Sequence, residues 1–384
     1  MALLGIDLIL DEYRQWHILE VNDHPTGLYL ADQLLNTSTQ FSKYLSRNGI
    51  DKIAEKLISK CRNKAIVLLL PDCFRIKNGF SNRPISITDN MFLGDYRIEK
   101  TLEDFNALLT YLNGKKIETF IADFSSIKQV GSKISLKSIE VGAMYRRSSQ
   151  FPKNEPDCFC LNDLRLRAIC PDKKQLAELL IDVGLSSNCL IYHDFNNAYT
   201  LAEEWLISGQ SIIIKPEKGS ASVGIQKVSS IKDLKEKKEL LDKSKDSSNM
   251  IFQKWIEPSK TFKNGKPYYY DIRINILDGK VISGFGRSSA APCEDVSWSE
   301  TPLVWLTTTG KVVPLAIGEN KVGKTDTIYL SEQEMSQLET IAGLINLAVH
   351  TNCDNSFYND TTKKIGNFKS QEGIKDKMHY IFLE

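Results

Sequence analysis

The sequence lacks several features that would have assigned it early. Its eight cysteines, at positions 61, 73, 158, 160, 170, 189, 293 and 353, include no C-x-x-C pair and no zinc spacing. Only Cys158 and Cys160 stand close, and one intervening residue is poor geometry for a disulfide or a structural zinc. Reduced, structural thiols in a cytoplasmic protein are therefore expected. No apolar run is long enough to span a bilayer, and the opening MALLGIDLIL already carries Asp7, which argues against a membrane anchor or signal peptide. Among 384 residues, 49 Lys and Arg face 48 Asp and Glu, a net charge of +1. That balance excludes bulk attraction to nucleic acid or an anionic membrane. No Walker-type phosphate loop is present, because no Lys-Ser/Thr step follows its glycines. There is no internal repeat and no low-complexity tract, and no feature sets an oligomeric state.

What is present begins with GIDLILDEYRQWHILEVNDHPTGL, residues 5–28. Ile6, Leu8 and Leu10 alternate with Asp7 and Ile9. A polar turn follows at 11–14, and residues 17–21 read as a second strand, so the segment is a hairpin. Glu20 follows Asp7 by thirteen residues, and Asn22 shares a strand face with Glu20. Two carboxylates and an amide oxygen on paired strands suit Mg2+ carrying nucleotide phosphates. A surface hairpin whose acids face water is the alternative.

Beyond the hairpin, residues 29–35, 41–45 and 53–59 show helical spacing. Residues 64–71 (KAIVLLLP) read as a buried strand, 102–112 as an amphipathic helix and 118–122 as a strand. Residues 133–136 and 140–145 form a strand pair. This alternation predicts an α/β domain with a largely parallel sheet, closed by a linker at 152–163. A helix over 172–183 has an acid at its start and Gly184 at its end. Strands follow at 211–216, 226–228, 250–257, 269–277 and 280–287, the last two joined by an Asp278-Gly279 turn. The charged run at 232–245 reads as a solvated helix, and 331–350 as a Ser-capped helix with an apolar stripe through Leu338, Ile341, Ala342, Ile345 and Ala348. Residues 351–375 are polar, and 379–383 read as an edge strand.

Two further stretches carry chemistry. In IIIKPEKGSASVGI (212–225), Lys215 ends an apolar strand, and Gly219, Ser220, Ser222 and Gly224 offer close backbone approach and donors for phosphate oxygens. A structural hairpin is the plainer reading. In FQKWIEP and YYDIRINILDGKVISGFGRSS, residues 253–256 can form a hinge whose backbone edges adenine. Arg273 and Arg287 stand on adjacent strands as a fork for phosphate oxygens, or else each pairs with an acid such as Asp271.

Together the 212–225 segment, FQKWIE, DIRINIL with GFGRSS, and the D-x12-E-x-N arrangement resemble the ATP-grasp superfamily. The metal hairpin, the last of these motifs in the usual order, stands first here. With the 331–350 helix late in the chain, the sequence resembles a circularly permuted ATP-grasp fold of mixed α/β and α+β class, including a preceding α/β domain. The opening segment, MYRRSS and NDLRLRAICPDKKQLAELL are similar to the permuted group that contains glutathionylspermidine synthase. That resemblance implies a hairpin at 1–35 belonging to the ATP-grasp domain, a pre-ATP-grasp-like α/β domain at 36–165, ATP-grasp subdomains at 166–350 and a polar tail at 351–384.

The resemblance implies Asp7, Glu20 and Asn22 as Mg2+ ligands, and Lys173 and Lys215 as contacts for ATP phosphates. It implies that the 219–224 loop closes over those phosphates, and that Gln253, Trp255 and Ile256 line the adenine pocket. Arg287 is the candidate for stabilising the transferring phosphoryl group, and Arg273 for substrate or phosphate. The implied reaction is ATP-dependent ligation of a small-molecule or peptide carboxylate to an amine through an acyl-phosphate. The group's arginine two residues before the metal-binding Asp is Gly5 here, and no segment resembles its amidase domain, so spermidine is not carried over as a substrate. A phosphotransferase acting on a hydroxyl, and a nucleotide-binding protein without turnover, are the alternatives. Among the histidines, His17 reads as a strand side chain and His24 as a possible neighbour of the site.

Overall fold

The computed structural model describes residues 2–37, 48–72, 76, 79–86, 96–148, 150, 155–218, 225–244, 249–289, 291–295, 311–318 and 327–351. The expected helix at 41–45, the 219–224 loop and the tail beyond 351 lie outside these residues.

The chain opens with the predicted hairpin, β1 (Leu3–Leu10) and β2 (Trp16–Asn22). Asp11 shapes its turn: one carboxylate oxygen accepts from the Tyr13 and Gln15 N–H groups at 2.9 and 2.8 Å. After α1 (Leu28–Thr37) and α2 (Gly49–Lys60) comes a seven-stranded sheet. Its elements are β3 (Ala65–Leu69), β4 (Phe80–Ser81), α3 (Tyr96–Gly114), β5 (Thr119–Ala122), β6 (Ile127–Val130), β7 (Lys133–Leu136), β8 (Ile139–Arg146) and β9 (Phe159–Leu161). The expectation of a largely parallel sheet needs correction. Only β5, β3, β8 and β9 run parallel, while β4 and the β6–β7–β8 meander pair antiparallel. The linker expected at 152–163 is also corrected, because Phe159–Leu161 joins the sheet alongside Ala143, Met144 and Tyr145. Its polar flanks hid three residues that pair with the sheet, of which Leu161 is fully buried.

Next come α4 (Leu164–Ile169), α5 (Lys173–Asp182), β10 (His193–Asp194), α6 (Tyr199–Ile207), β11 (Ile212–Pro216), β12 (Gln226–Val228), α7 (Ile231–Ser244) and β13 (Met250–Lys254). Four strands form an antiparallel sheet in the order β10-β13-β11-β12. Ile212, Ile214 and Phe252 pack on Ala202 and Leu206 of α6 and Leu234 and Leu241 of α7. The opposite face therefore carries Ile213, Lys215, Lys227 and Gln253, which share it through the pairs Ile213–Lys227 and Ile213–Gln253.

The remaining strands are β14 (Lys260–Lys263), β15 (Lys266–Leu277), β16 (Lys280–Ser288), β17 (Lys311–Val313), β18 (Leu315–Ile317) and β19 (Ile328–Leu330), followed by α8 (Glu332–Thr351). β15 and β16 meet through Asp278 and Gly279 at φ of 50° and 79°, the left-handed pair that a two-residue hairpin demands. A central sheet in the order β17-β16-β15-β1-β2 results, with β14 beside β15. Its apolar face, Leu4, Ile6, Leu8, Ile272, Ile274 and Ile276, is sealed by α8 through Leu338, Ile341, Ala342 and Ile345. The α8 start is a capping box: Ser331 Oγ accepts from the Glu334 N–H at 3.2 Å, and the Glu334 carboxylate accepts from the Ser331 N–H at 2.7 Å. Arg14 forks onto the same Glu334 at 2.6 and 2.7 Å, tying the hairpin turn to the helix. Among the described residues no helix is long and apolar enough to cross a membrane, and the six described cysteines form no disulfide.

Gly142 sits where the β3–β8 register slips, and a Cβ there would stand 1.8 Å from the Cys61 carbonyl oxygen. Gly142→Ala is expected to lower stability by roughly 1–3 kcal/mol, because backbone must yield. Gly343→Ala, on an exposed turn of α8 with open space around it, is expected to raise stability by about 0.5–1 kcal/mol. Urea denaturation of the two variants checks both signs.

Candidate active site

The polar face of the central sheet is assembled by cross-strand register. Asp7 pairs with Glu20 on one side and Arg273 on the other, and Gly5 pairs with Asn22. A bulge in β2 makes this possible. Asp7 faces Glu20 but Leu8 faces Ile18, so Leu19 is the extra residue. The slip lets Ile18 and Val21 both enter the apolar core while Glu20 and Asn22 stand with Asp7 on the opposite face. On β15 and β16 the pair Asp271–Arg287 places both side chains on this face beside Arg273.

Arg273 grips Asp7 with two parallel bonds, Nε to Oδ1 at 2.6 Å and Nη2 to Oδ2 at 2.5 Å. Arg287 forks onto Asp271 at 2.6 and 2.8 Å and also reaches Asp7 Oδ1 at 3.2 Å. Asn22 Nδ2 lies 3.4 Å from Asp7 Oδ2. Burial raises the Asp7 carboxyl, but Arg273 and then Arg287 outweigh it and hold the group below the ordinary carboxylate range. The Glu20 carboxyl is pushed up, by burial first and the Asp7 charge second, against the pull of Lys173, Arg273 and Lys215. Its carboxylate has no hydrogen-bond partner among the described residues. Asp271 was the acid anticipated as the plain partner for an arginine, and it does hold Arg287.

Two lysines face Glu20 from other elements. Asp172 caps α5 by accepting from the Gln175 N–H at 3.0 Å, which puts Lys173 in the first turn. The Lys173 N–H donates to the Glu217 carbonyl at 3.2 Å, so α5 is stitched to the end of β11. Lys215 is 4% exposed and its ammonium donates to the Tyr192 hydroxyl at 3.2 Å, lying 4.5 Å from the centre of that ring. Burial, helped by the Lys173 charge, lowers the Lys215 ammonium to about 7, with Glu20 opposing. Lys173 is lowered too, by burial against Glu20, Asp172 and Glu217. A pocket between β2 and α5 is lined by Ile18, Glu20, Lys173, Leu176, Leu180 and Tyr192. Tyr192 was missed from the sequence, where one tyrosine in an irregular stretch carries no pattern.

Thus Asp7, Glu20, Asn22, Lys173, Lys215, Arg273 and Arg287 come together. Gln253 belongs to β13 rather than to a hinge, on the same sheet face as Lys215, and its buried Oε1 lacks a donor among the described residues. Trp255 Nε1 donates to Glu257 at 2.9 Å, and the Lys227 ammonium lies 4.4 Å from a Trp255 ring centre. Ile256 follows Trp255, beyond the end of the strand. Gly219, Ser220, Ser222 and Gly224 lie outside the described residues. At Gly5 a Cβ would come within 2.9 Å of Pro25 Cβ, so this position has no room for the arginine of the permuted group. His17 pairs with Asp11 at 2.9 Å and serves the turn. His24 packs against Arg167 at 3.4 Å, and its carbonyl accepts from Arg147 at 2.9 Å.

Among the described residues no group of three or more His, Cys, Asp or Glu side chains is placed to hold a metal. A divalent ion here would have two carboxylates and one amide oxygen. That set suits Mg2+, which keeps waters and completes its shell with phosphate oxygens. The Glu20 carboxylate, without a hydrogen-bond partner among the described residues, fits a cation. Two buried lysines, one of them facing no acid within salt-bridge range among the described residues, fit a polyphosphate.

Neither known protein families nor curated proteins give a match to this chain. Among solved structures, it superposes on a protein provisionally assigned as a gamma-glutamylcysteine synthetase from Methylobacillus flagellatus KT. The TM-score is 0.58 at 12% identity, covering 91% of this chain and 88% of that one. A glutathione synthetase-like effector from Globodera pallida overlaps at a TM-score of 0.45 and 9% identity, over 75% of this chain and 73% of that one. D-alanyl-alanine synthetase A from Vibrio cholerae overlaps at 0.45 and 12%, over 75% and 81%. The first superposition extends over nearly the whole of both chains, and the two share a mixed α/β fold.

Proposed function

We propose that this chain is an ATP- and Mg2+-dependent ligase that joins a carboxylate to an amine through an acyl-phosphate. The observation that carries the reading is the meeting of Glu20, on the opening hairpin, with Lys173 and Lys215, on α5 and β11, each acting electrostatically on Glu20. A shared fold alone does not fix an activity, so the reading rests on these side chains. Lys173 and Lys215 bind the phosphates, while Gln253, Trp255 and Ile256 border the base. Asp7, Glu20 and Asn22 hold the ion, which neutralises phosphate charge when bound. The fold reads as circularly permuted: Ala2, at the chain's start, buries in the same core cluster as Ala348 and Val349 at the end of α8. Residues 36–165 then form the pre-ATP-grasp-like domain, and 1–35 with 166–350 the nucleotide-binding part.

In the reaction a substrate carboxylate oxygen attacks the γ-phosphorus and ADP leaves. The amine then attacks the acyl carbon, phosphate departs with the bonding pair, and the amine proton passes to solvent. No covalent enzyme intermediate is needed. The chain supplies position and charge: Arg287, fixed by Asp271, faces the negative charge that builds on the transferring group and on the tetrahedral intermediate.

An ADP-release assay across amino acids, polyamines and peptides tests the reading. ADP, inorganic phosphate and a new amide are expected, and a phosphorylated product without amide would overturn it. Glu20→Gln with Asn22→Ala is expected to abolish ADP production while circular dichroism stays unchanged. Retained turnover would refute the metal assignment.

Lys215 adds a pH prediction. Free, its ammonium titrates at about 7, so near pH 8 most of it is neutral. A bound polyphosphate favours the charged form, and ATP binding should therefore take up a proton. Affinity should fall as pH rises from about 7 towards 9. Calorimetry in two buffers of different ionisation enthalpy reads the uptake, which should vanish in Lys215→Arg.

A further inference from the structure

Asp7 is the one carboxylate of the candidate metal set whose two oxygens are both already taken. Arg273 holds Oδ1 and Oδ2 at 2.6 and 2.5 Å, and Arg287 stands 3.2 Å from Oδ1. A guanidinium fork on a carboxylate occupies the oxygens that a cation would use. The surrounding charge does not favour a free cation either. Asp7, Glu20 and Asp271 on the sheet, with Asp172 and Glu217 beside Lys173, are matched in number by Arg273, Arg287, Lys173, Lys215 and Lys218. Below about pH 7, where the Lys215 ammonium is charged, a divalent ion arriving alone meets no net negative charge, and it meets no open Asp7 oxygen.

We propose that Arg273 stands in for the metal on Asp7 in the free protein, so that the divalent ion binds only once nucleotide phosphates have drawn Arg273 away. This rests on the nucleotide-binding reading above and adds an order of binding to it. A polyphosphate brings several negative charges to a neutral cluster and gives the Arg273 fork a new set of oxygens. Asp7 is then released beside Glu20 and Asn22, where phosphate oxygens complete an all-oxygen shell. Arg273 thereby acts twice: as the counter-ion that keeps a buried carboxylate charged before binding, and as a phosphate contact afterwards. Removing it should open Asp7 Oδ2 to cations, because Arg287, forked onto Asp271, reaches only Oδ1.

The test uses Mn2+ alone, followed by electron paramagnetic resonance of the full chain. The parent protein should show no saturable Mn2+ binding without nucleotide, and a protein-bound Mn2+ signal once a non-hydrolysable ATP analogue is added. Arg273→Met, which keeps the length but removes the fork, should bind Mn2+ without nucleotide more tightly than the parent by on the order of tenfold or more. Arg273→Met with Asp7→Asn should lose that gain, and Arg273→Lys should fall between. Thermal melts establish that each variant is folded. Asp7-dependent Mn2+ binding by the parent alone, or no gain in either folded Arg273 variant, overturns the inference. Failure of the parent to bind the ATP analogue in calorimetry overturns the nucleotide reading instead, and the metal-only comparison still decides the role of Arg273.

Discussion

A carboxylate buried to 5% exposure at the centre of a sheet remains ionised because two guanidiniums reach it, one from the adjacent β15 and one from β16 beyond it. Everything polar in the candidate site is arranged around that charge. Arg273 is spent on Asp7, Arg287 on Asp271, and Glu20, beside them, has no hydrogen bond among the described residues and a raised carboxyl. Stripping away Arg273 would leave Asp7 and Asp271 sharing one arginine, and breaking a buried pair in this way costs about 3–5 kcal/mol in comparable cases. The opposite face of the same strands is mainly apolar and covered by α8. One sheet thus supports a packed core and a charged site back to back, with strand alternation separating the two.

Alternation alone would not have achieved it. In β2, Trp16 and Ile18 are in phase with each other but out of phase with Val21, and all three enter one core cluster. The bulge at Leu19 reconciles them, and the same slip turns Glu20 and Asn22 to the side of Asp7. The apolar pair Ile18-Leu19 marks the slip in the sequence. Bulges placed beside candidate sites, re-aiming one or two side chains, are a recurring use of that feature.

Much of the local structure was legible because its causes are local. The Ser331–Glu334 capping box, the Asp172 cap with Gly184 at φ of 93°, and the Asp278-Gly279 turn each depend on neighbours within a few residues. The grouping of Asp7, Glu20 and Asn22 was legible from spacing on a hairpin. What sequence could not show depends on register between distant strands. The Arg273 fork on Asp7 joins residues far apart in the chain, Tyr192 meets Lys215 from an irregular segment, and Phe159–Leu161 is a strand only because β8 lies beside it. The antiparallel edges of the larger sheet escaped for the same reason, since the chain pattern alone had suggested parallel crossovers.

Ligase chemistry at this site requires that the two lysines and the hairpin acids serve one polyphosphate. Isothermal titration of ATP with Mg2+ into the parent chain and into Lys173→Met and Lys215→Met measures this directly. Saturable binding by the parent, weakened by about tenfold or more in each folded variant, is the predicted result. Absence of binding by the parent, or an affinity unchanged by either substitution, would contradict it.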